Sequence, residues 1–168
     1  MRDSTLYPEG SVICSTVDGS VRNLRADDPL IVEGRVQITE DITYHYARNV
    51  RTGELLAMGP KEVCAFSRPS DAAQALLDAA GGRMVGLTFN KRSDGSTRIM
   101  NAHPVQQDER DPDREAEHNL RLVRSTNDGM GYRSVPLDGL KELRMNGHRF
   151  TVQGDELVAT DATRKTAA

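Results

Sequence analysis

The sequence predicts a mainly β chain: two small β-barrel units in tandem, joined by one short α-helix. Three observations carry that expectation. Apolar residues alternate at period two in several short runs bounded by turn residues, and helical spacing is clear in one segment only. The element D-G-S-x-R occurs twice, in VDGSVRNL (17–24) and in SDGSTRIM (93–100).

With 168 residues, 37% of them hydrophobic, the chain is too apolar to be disordered and long enough for one substantial domain or two small ones. Aromatics are only 4% and Trp is absent, so the core must be built from Val, Leu, Ile and Met.

In the first half, Asp18-Gly19 supplies the expected positive-φ turn between two antiparallel strands. The run ITYHYARN places Ile42, Tyr44 and Tyr46 on one face and His45 on the other. With so little aromatic volume elsewhere, Tyr44 and Tyr46 are the expected filling of the first unit. The helix is SDAAQALLDAAGG, with Ser70 as N-cap, Asp71 at the positive helix start, a stripe of Ala72, Ala73, Leu76, Leu77 and Ala80, and Gly81 as terminator.

In the second half, Val85, Leu87 and Phe89 of MVGLTFNKR define an inward face, and Asp94-Gly95 turns the chain into the next strand. LRMNGHRFTV is a hairpin turning on Asn146-Gly147, and VQGDELVA closes a fourth. Each half thus reads hairpin, variable loop, hairpin, and each ends in a Lys-Glu-apolar step, Lys61-Glu62-Val63 and Lys141-Glu142-Leu143. Self-similarity at this spacing predicts an internal duplication. The expected organisation is an N-terminal β unit over 1–68, the helix plus a C-terminal β-barrel over 69–159, and a disordered tail over 160–168.

Charge is unevenly placed. Residues 1–82 hold 8 Lys+Arg against 12 Asp+Glu, whereas 83–168 hold 14 against 13. The stretch DERDPDREAE (108–117) contributes 6 of those later acids; without it the second half is distinctly basic. That balance permits an anionic partner for the C-terminal half, while the acidic stretch itself reads as a mobile, solvated loop. Arg98, Arg121, Arg124, Arg133 and Arg144 fall on predicted strands of the basic unit and are the candidate ligand-binding residues, because the planar guanidinium fork matches phosphate and carboxylate. Against a single-stranded nucleic acid, the seven aromatics leave few for stacking once the core is filled.

Nothing marks a catalytic site: the phosphate-loop, G-x-S-x-G and H-E-x-x-H patterns are missing and His45, His103, His118 and His148 are dispersed. Cys14 and Cys64 lack metal-ligand spacing, so neither a metal nor a cofactor is expected. No apolar run reaches membrane-span length and the N-terminal residues lack a signal-peptide stretch, so a cytoplasmic protein without membrane contact is expected.

Residues 70–152 resemble a family of small Sm-like or SH3-like β-barrels related to WYL domains and found largely in phage and other mobile-element genomes. The likeness rests on the short helix, then VGLTFNKRSDGSTRIM with Val85, Phe89, Lys91, Asp94, Gly95 and Arg98, then NLRLV, then GYRSVPLDGLKEL with Tyr132, Arg133, Ser134 and Asp138. The sequence departs from the pattern in its long acidic loop after Asn101 and in having Tyr132 where Trp is more usual. The resemblance implies two Sm/SH3-like β-barrel units, the first a diverged copy over 10–67, with Cys14 and Cys64 on neighbouring strands, close, buried and reduced. It implies a non-enzymatic binding module of phage or mobile-element type, engaging nucleic acid or a nucleotide through the C-terminal barrel. The alternative is a small inhibitor or adaptor of anti-defence type that blocks a host protein; either reading leaves room for a homo-oligomer.

Overall fold

The computed structural model describes residues 5–105, 109–126 and 131–160, and its architecture is mainly β, in two antiparallel sheets with two helices. The first sheet has five strands, β1 (Val12–Ser15), β2 (Pro29–Gln37), β3 (Thr43–Asn49), β4 (Leu55–Met58) and β5 (Val63–Ala65), in the order β4-β3-β2-β1-β5. Helix α1 (Pro69–Ala80) follows. The second sheet contains β6 (Val85–Asn90), β7 (Thr97–Pro104), β8 (Leu120–Ser125), β9 (Tyr132–Pro136), β10 (Leu140–Met145), β11 (His148–Gln153) and β12 (Glu156–Thr160), in the order β12-β11-β10-β6-β7-β8-β9; helix α2 (Pro112–His118) lies between β7 and β8. The first five strands of the second sheet repeat the order of the first, with the fifth strand returning to pair with the first. Both D-G-S-x-R elements join strands one and two of their unit, and both Lys-Glu-apolar steps sit on or at the fifth strand.

The turns obey local chemistry. Asn146 (φ 53) and Gly147 (φ 77) both take the left-handed conformation that a two-residue hairpin requires, and Gly95 (φ 72) turns β6 into β7. Asp18-Gly19 does not make a tight hairpin. Gly19 has no positive φ; the chain instead runs through a 3-10 turn at Ser20–Arg22 and reaches β2 only at Pro29.

Helix α1 buries the predicted stripe of Ala72, Ala73, Leu76, Leu77 and Ala80 and ends at Gly81 (φ 63). Its N-cap is Arg68 rather than Ser70, because Pro69, whose fixed φ suits the first helical position, starts the helix earlier; Ser70 is buried in the first turn. The stripe fills the larger core, where Leu87, Met100, Val123, Leu143 and Phe150 of the second sheet meet Val12, Ile31 and Val50 of the first. A smaller core of Ile13, Leu24, Leu30, Val32, Ala47, Leu56, Met58 and Val63 lies inside the first sheet. The sheets are also tied by a bridge between Ser11 and Val158 and by the Ala159 N–H donating to the Gly10 carbonyl at 2.7 Å. Gly10 (φ 90) has to be glycine there, since a Cβ would stand 2.8 Å from the Ala159 oxygen.

Tyr44 and Tyr46 do not fill the first unit. Ala47 pairs with Val32 and Asn49 with Leu30, two positions committed to the core, so period two turns His45, Ala47 and Asn49 inward and both tyrosines outward. Ile42 is exposed as well.

Over its described residues, 109–117, the acidic stretch folds largely into helix α2 rather than a loop. Asp111 caps α2 by accepting the Arg114 N–H, Pro112 occupies the first turn, and Asn119 (φ 53) ends it. Glu115 is buried and accepts from Arg110 Nε at 2.7 Å and from the Leu122 N–H at 3.2 Å. Of the tail expected over 160–168, Thr160 instead ends β12, and 161–168 lie outside the described residues.

Candidate functional site

In the second unit, β6 and β7 pair Leu87 with Met100 and Phe89 with Arg98, so Arg98 continues the inward face at the point where the stack of apolar side chains reaches solvent. There the sheet opens into a cavity of about 190 Å³. Phe89, Met100, Leu120 and Pro136 supply an apolar lining, and Lys91, Arg92, Arg98, Arg133 and Ser134 line the rest.

The carboxylates around this mouth are already engaged. Arg92 pairs with Asp138 at 2.9 Å and donates to the His118 carbonyl, which ties the β6–β7 turn to the chain entering β8 and to the 3-10 turn at Leu137–Gly139. Asp94 Oδ1 accepts from the Ser96 hydroxyl at 2.6 Å and the Ser96 N–H at 2.9 Å. These hydrogen bonds from Ser96 hold the Asp94 carboxyl below the usual range, keeping it ionised within its own turn. Arg133 Nη1 donates to the Tyr132 carbonyl at 2.9 Å. Four cationic side chains therefore line an apolar pocket beside one paired carboxylate, Asp138. The arrangement suits an anionic head group carrying a flat or apolar body.

Of the five predicted arginines, Arg98 and Arg133 meet at this mouth. Arg121 is fully buried on β8, where its guanidinium pairs with Asp78 of α1 and its Nη2 donates to the Val105 carbonyl at 3.3 Å. Burial pulls its pKa down, with Asp78 opposing that effect. Arg110, whose side chain is also buried, joins Asp78 at 3.3 Å and Glu115 at 2.7 Å, so this cluster fastens α2 to α1 and β8. A second cavity of about 530 Å³ adjoins it, lined by Arg25, Asp27, Asp28 and Arg51 from the first unit and by Asp78, Arg110 and Arg121. Its arginines are largely matched by carboxylates. Arg124 is exposed on β8 opposite Tyr132, whose hydroxyl donates to Glu109 at 2.9 Å. Arg144 lies across Gly86 on the outer face, beside Glu142. Lys91 and Arg92, outside the predicted set, complete the mouth; their signal was their place immediately before Asp94-Gly95.

No family model matches the chain, and no curated protein sequence matches it. Among solved structures the chain is similar to the crystal structure of the extended Tudor domain from BmPAPI, with 12% identity, a TM-score of 0.32, and coverage of 96% of this chain and 72% of that one.

The exposed aromatic inventory differs from the expected one. Tyr44, Tyr46 and Tyr132 all reach solvent, so aromatic side chains are not confined to the core. On the first sheet the outward face of β2, β3 and β4 carries Tyr44 and Tyr46, with Leu55 and the exposed Ile38 and Ile42 alongside. Among the described residues, no helix is long and apolar enough to cross a membrane.

Proposed function

We propose that this chain is a non-enzymatic binding module, of the mobile-element Sm-like type, whose second unit holds a phosphate-bearing ligand, nucleic acid or nucleotide, at the mouth between β6–β7 and β8–β9. The observation that carries this reading is the convergence of Lys91, Arg92, Arg98 and Arg133 on an apolar pocket with the neighbouring Asp94 consumed by its own turn. Phosphate oxygens would meet the cationic groups, and a base or sugar would cover Phe89 and Pro136. Binding should fall steeply with salt because each neutralised phosphate releases condensed counterions.

The test is fluorescence anisotropy of a labelled single-stranded oligonucleotide across a salt series, with unlabelled nucleotides as competitors. Lys91→Ala and Arg98→Ala should each weaken binding and reduce the salt slope by about 1. No binding of oligonucleotide or nucleotide at low ionic strength, or binding indifferent to both substitutions, refutes the proposal.

A second reading, a protein-binding inhibitor or adaptor, is favoured by the outward stripe of Ile38, Ile42, Tyr44, Tyr46 and Leu55 on the first sheet. Of the acidic segment, Glu115 is spent inside the fold on Arg110, while Glu109, Asp111, Asp113 and Glu117 stay exposed and available to that reading.

A further inference from the structure

Cys14 and Cys64 face each other directly across the β1–β5 ladder, flanked by the Ile13–Ala65 and Ser15–Val63 pairs. Their sulfurs stand 2.8 Å apart as two free thiols, and Cys14 Sγ also lies 3.4 Å from the Cys64 carbonyl oxygen. The expected proximity holds, but Cys64 is exposed and only Cys14 is buried. The asymmetry follows from the fold: β5 is the edge strand of its sheet, so Cys64 meets solvent while Cys14 lies under it.

We propose that Cys14 and Cys64 form a modification site, an intramolecular dithiol that a low-molecular-weight disulfide such as glutathione disulfide oxidises to a cross-strand disulfide. In the first exchange Cys64, after losing its proton to solvent, attacks one glutathione sulfur; the glutathione S–S bond breaks and one glutathione thiolate leaves. In the second, Cys14 attacks the Cys64 sulfur of that mixed disulfide, the Cys64–glutathione bond breaks, and the second glutathione departs with the Cys14 proton. Two protein thiols are oxidised and one glutathione disulfide is reduced to two thiols. The order of attack is set by access, since only Cys64 can be reached from outside. In the reduced pair burial, reinforced by the hydrogen bond and charge of Cys64, pushes the Cys14 thiol up to about 12, so Cys14 does not compete for the first attack and the mixed disulfide at Cys64 precedes ring closure.

Closure would join residues 50 apart in sequence and lock the three-residue strand β5, from which the chain passes directly into α1 and the shared core. Edge-strand fraying would then be suppressed where the two units are joined.

The test incubates the reduced full chain in glutathione redox buffers and follows it by intact mass and by thiol alkylation. The expected result is a monomer that first gains one glutathionyl group, blocked by Cys64→Ser, then loses it to give a product two hydrogens lighter with no alkylatable thiol and a raised thermal midpoint. Cys14→Ser should stop at the mixed disulfide. Phenylarsine oxide, which bridges adjacent thiols, should bind the reduced chain one to one and bind neither single variant; this readout does not depend on oxidation. A chain that stays glutathionylated, or that forms disulfide-linked dimers through Cys64, overturns the proposal, as does arsenical binding that survives in either variant.

Discussion

Asp28 offers the sharpest test of what holds the first unit together. It is buried, and its carboxylate accepts four hydrogen bonds: the Arg25 N–H and Asn49 Nδ2 at 2.9 Å, and Arg51 Nε and Nη2 at 2.8 Å. Burial works against its charge, but Arg51, the Arg25 N–H and Asn49 outweigh it and hold the carboxyl below the usual range. Asp28→Ala would leave the fully buried Asn49 amide short of a partner and the mostly buried Arg51 guanidinium without its counter-ion. Breaking a buried pair costs about 3–5 kcal/mol. Arg51 keeps some exposure and its bond to the Asn23 carbonyl at 2.7 Å, which places this case at the lower end, about 3 kcal/mol. With a urea slope of about 2 kcal/mol/M, the midpoint should drop by about 1.5 M. Asp28→Asn keeps the shape and one acceptor and should cost about half as much. The sign with pH follows from the depressed pKa: the stabilisation is complete above the unfolded value near 3.9 and is lost as pH falls through the folded one. The gap between wild type and Asp28→Asn should therefore shrink from about pH 5 to about pH 2 in circular-dichroism-monitored urea titrations. A cost below about 1 kcal/mol for Asp28→Ala, or a gap independent of pH, would refute the reasoning.

His45 is buried, accepts the Tyr7 N–H at Nε2 (3.1 Å), and has no partner for Nδ1 among the described residues. Burial, with Arg35 assisting, lowers its pKa below 6.5, so its contribution is whole above that value and fades as pH falls toward the folded pKa. His45→Gln should flatten the stability profile over that window in the same urea titrations, and an unchanged slope would show that His45 does not control it. Two glycine substitutions should separate hard from soft collisions. A Cβ at Gly139 would meet the Asn90 backbone oxygen at 2.8 Å, so Gly139→Ala should cost about 1–3 kcal/mol. The three atoms nearest a Cβ at Gly86 all belong to the Arg144 guanidinium, the closest at 2.7 Å, which can swing aside, so Gly86→Ala should cost less than about 1 kcal/mol by thermal or urea unfolding.

The features legible in the sequence are those with one local solution. The Val85, Leu87 and Phe89 alternation, the α1 stripe, Asn146-Gly147 and the repeated Lys-Glu-apolar step each carry their own geometry, and each occurs in the fold as read. Tyr44 and Tyr46 misled because period two has two equivalent phases, and only pairing with Val32 and Leu30 selects between them. Asp18-Gly19 misled because a D-G pair permits a tight turn without compelling one. Helix α2 was hidden by its charge, although Asp111-Pro112 followed by acids is a helix start by its own chemistry. The arginines could be assigned to strands but not to environments: Arg98 and Arg121 differ by one being at the open end of a strand and the other beneath α2, which no strand pattern records.

The two units share a strand order but differ in the connection between their first and second strands, and that difference accounts for the open, cation-lined mouth of the second. In the first unit residues 16–28 fold back, place Leu24 in the small core, and set Arg22 against Met58 and Glu62 at the end of the sheet that corresponds to the mouth in the second. In the second unit the turn over residues 91–96 is short, held by the Lys91 N–H to Ser96 carbonyl bond at 2.8 Å, and too tight to cover anything. Phe89 and Met100 are left beneath an open end, and the cations of the turn and of β7 stand around it. Grafting a longer first connection onto the second unit should therefore abolish the proposed anion binding without disturbing the strand order, because such a connection can fold over that end as residues 16–28 do in the first unit.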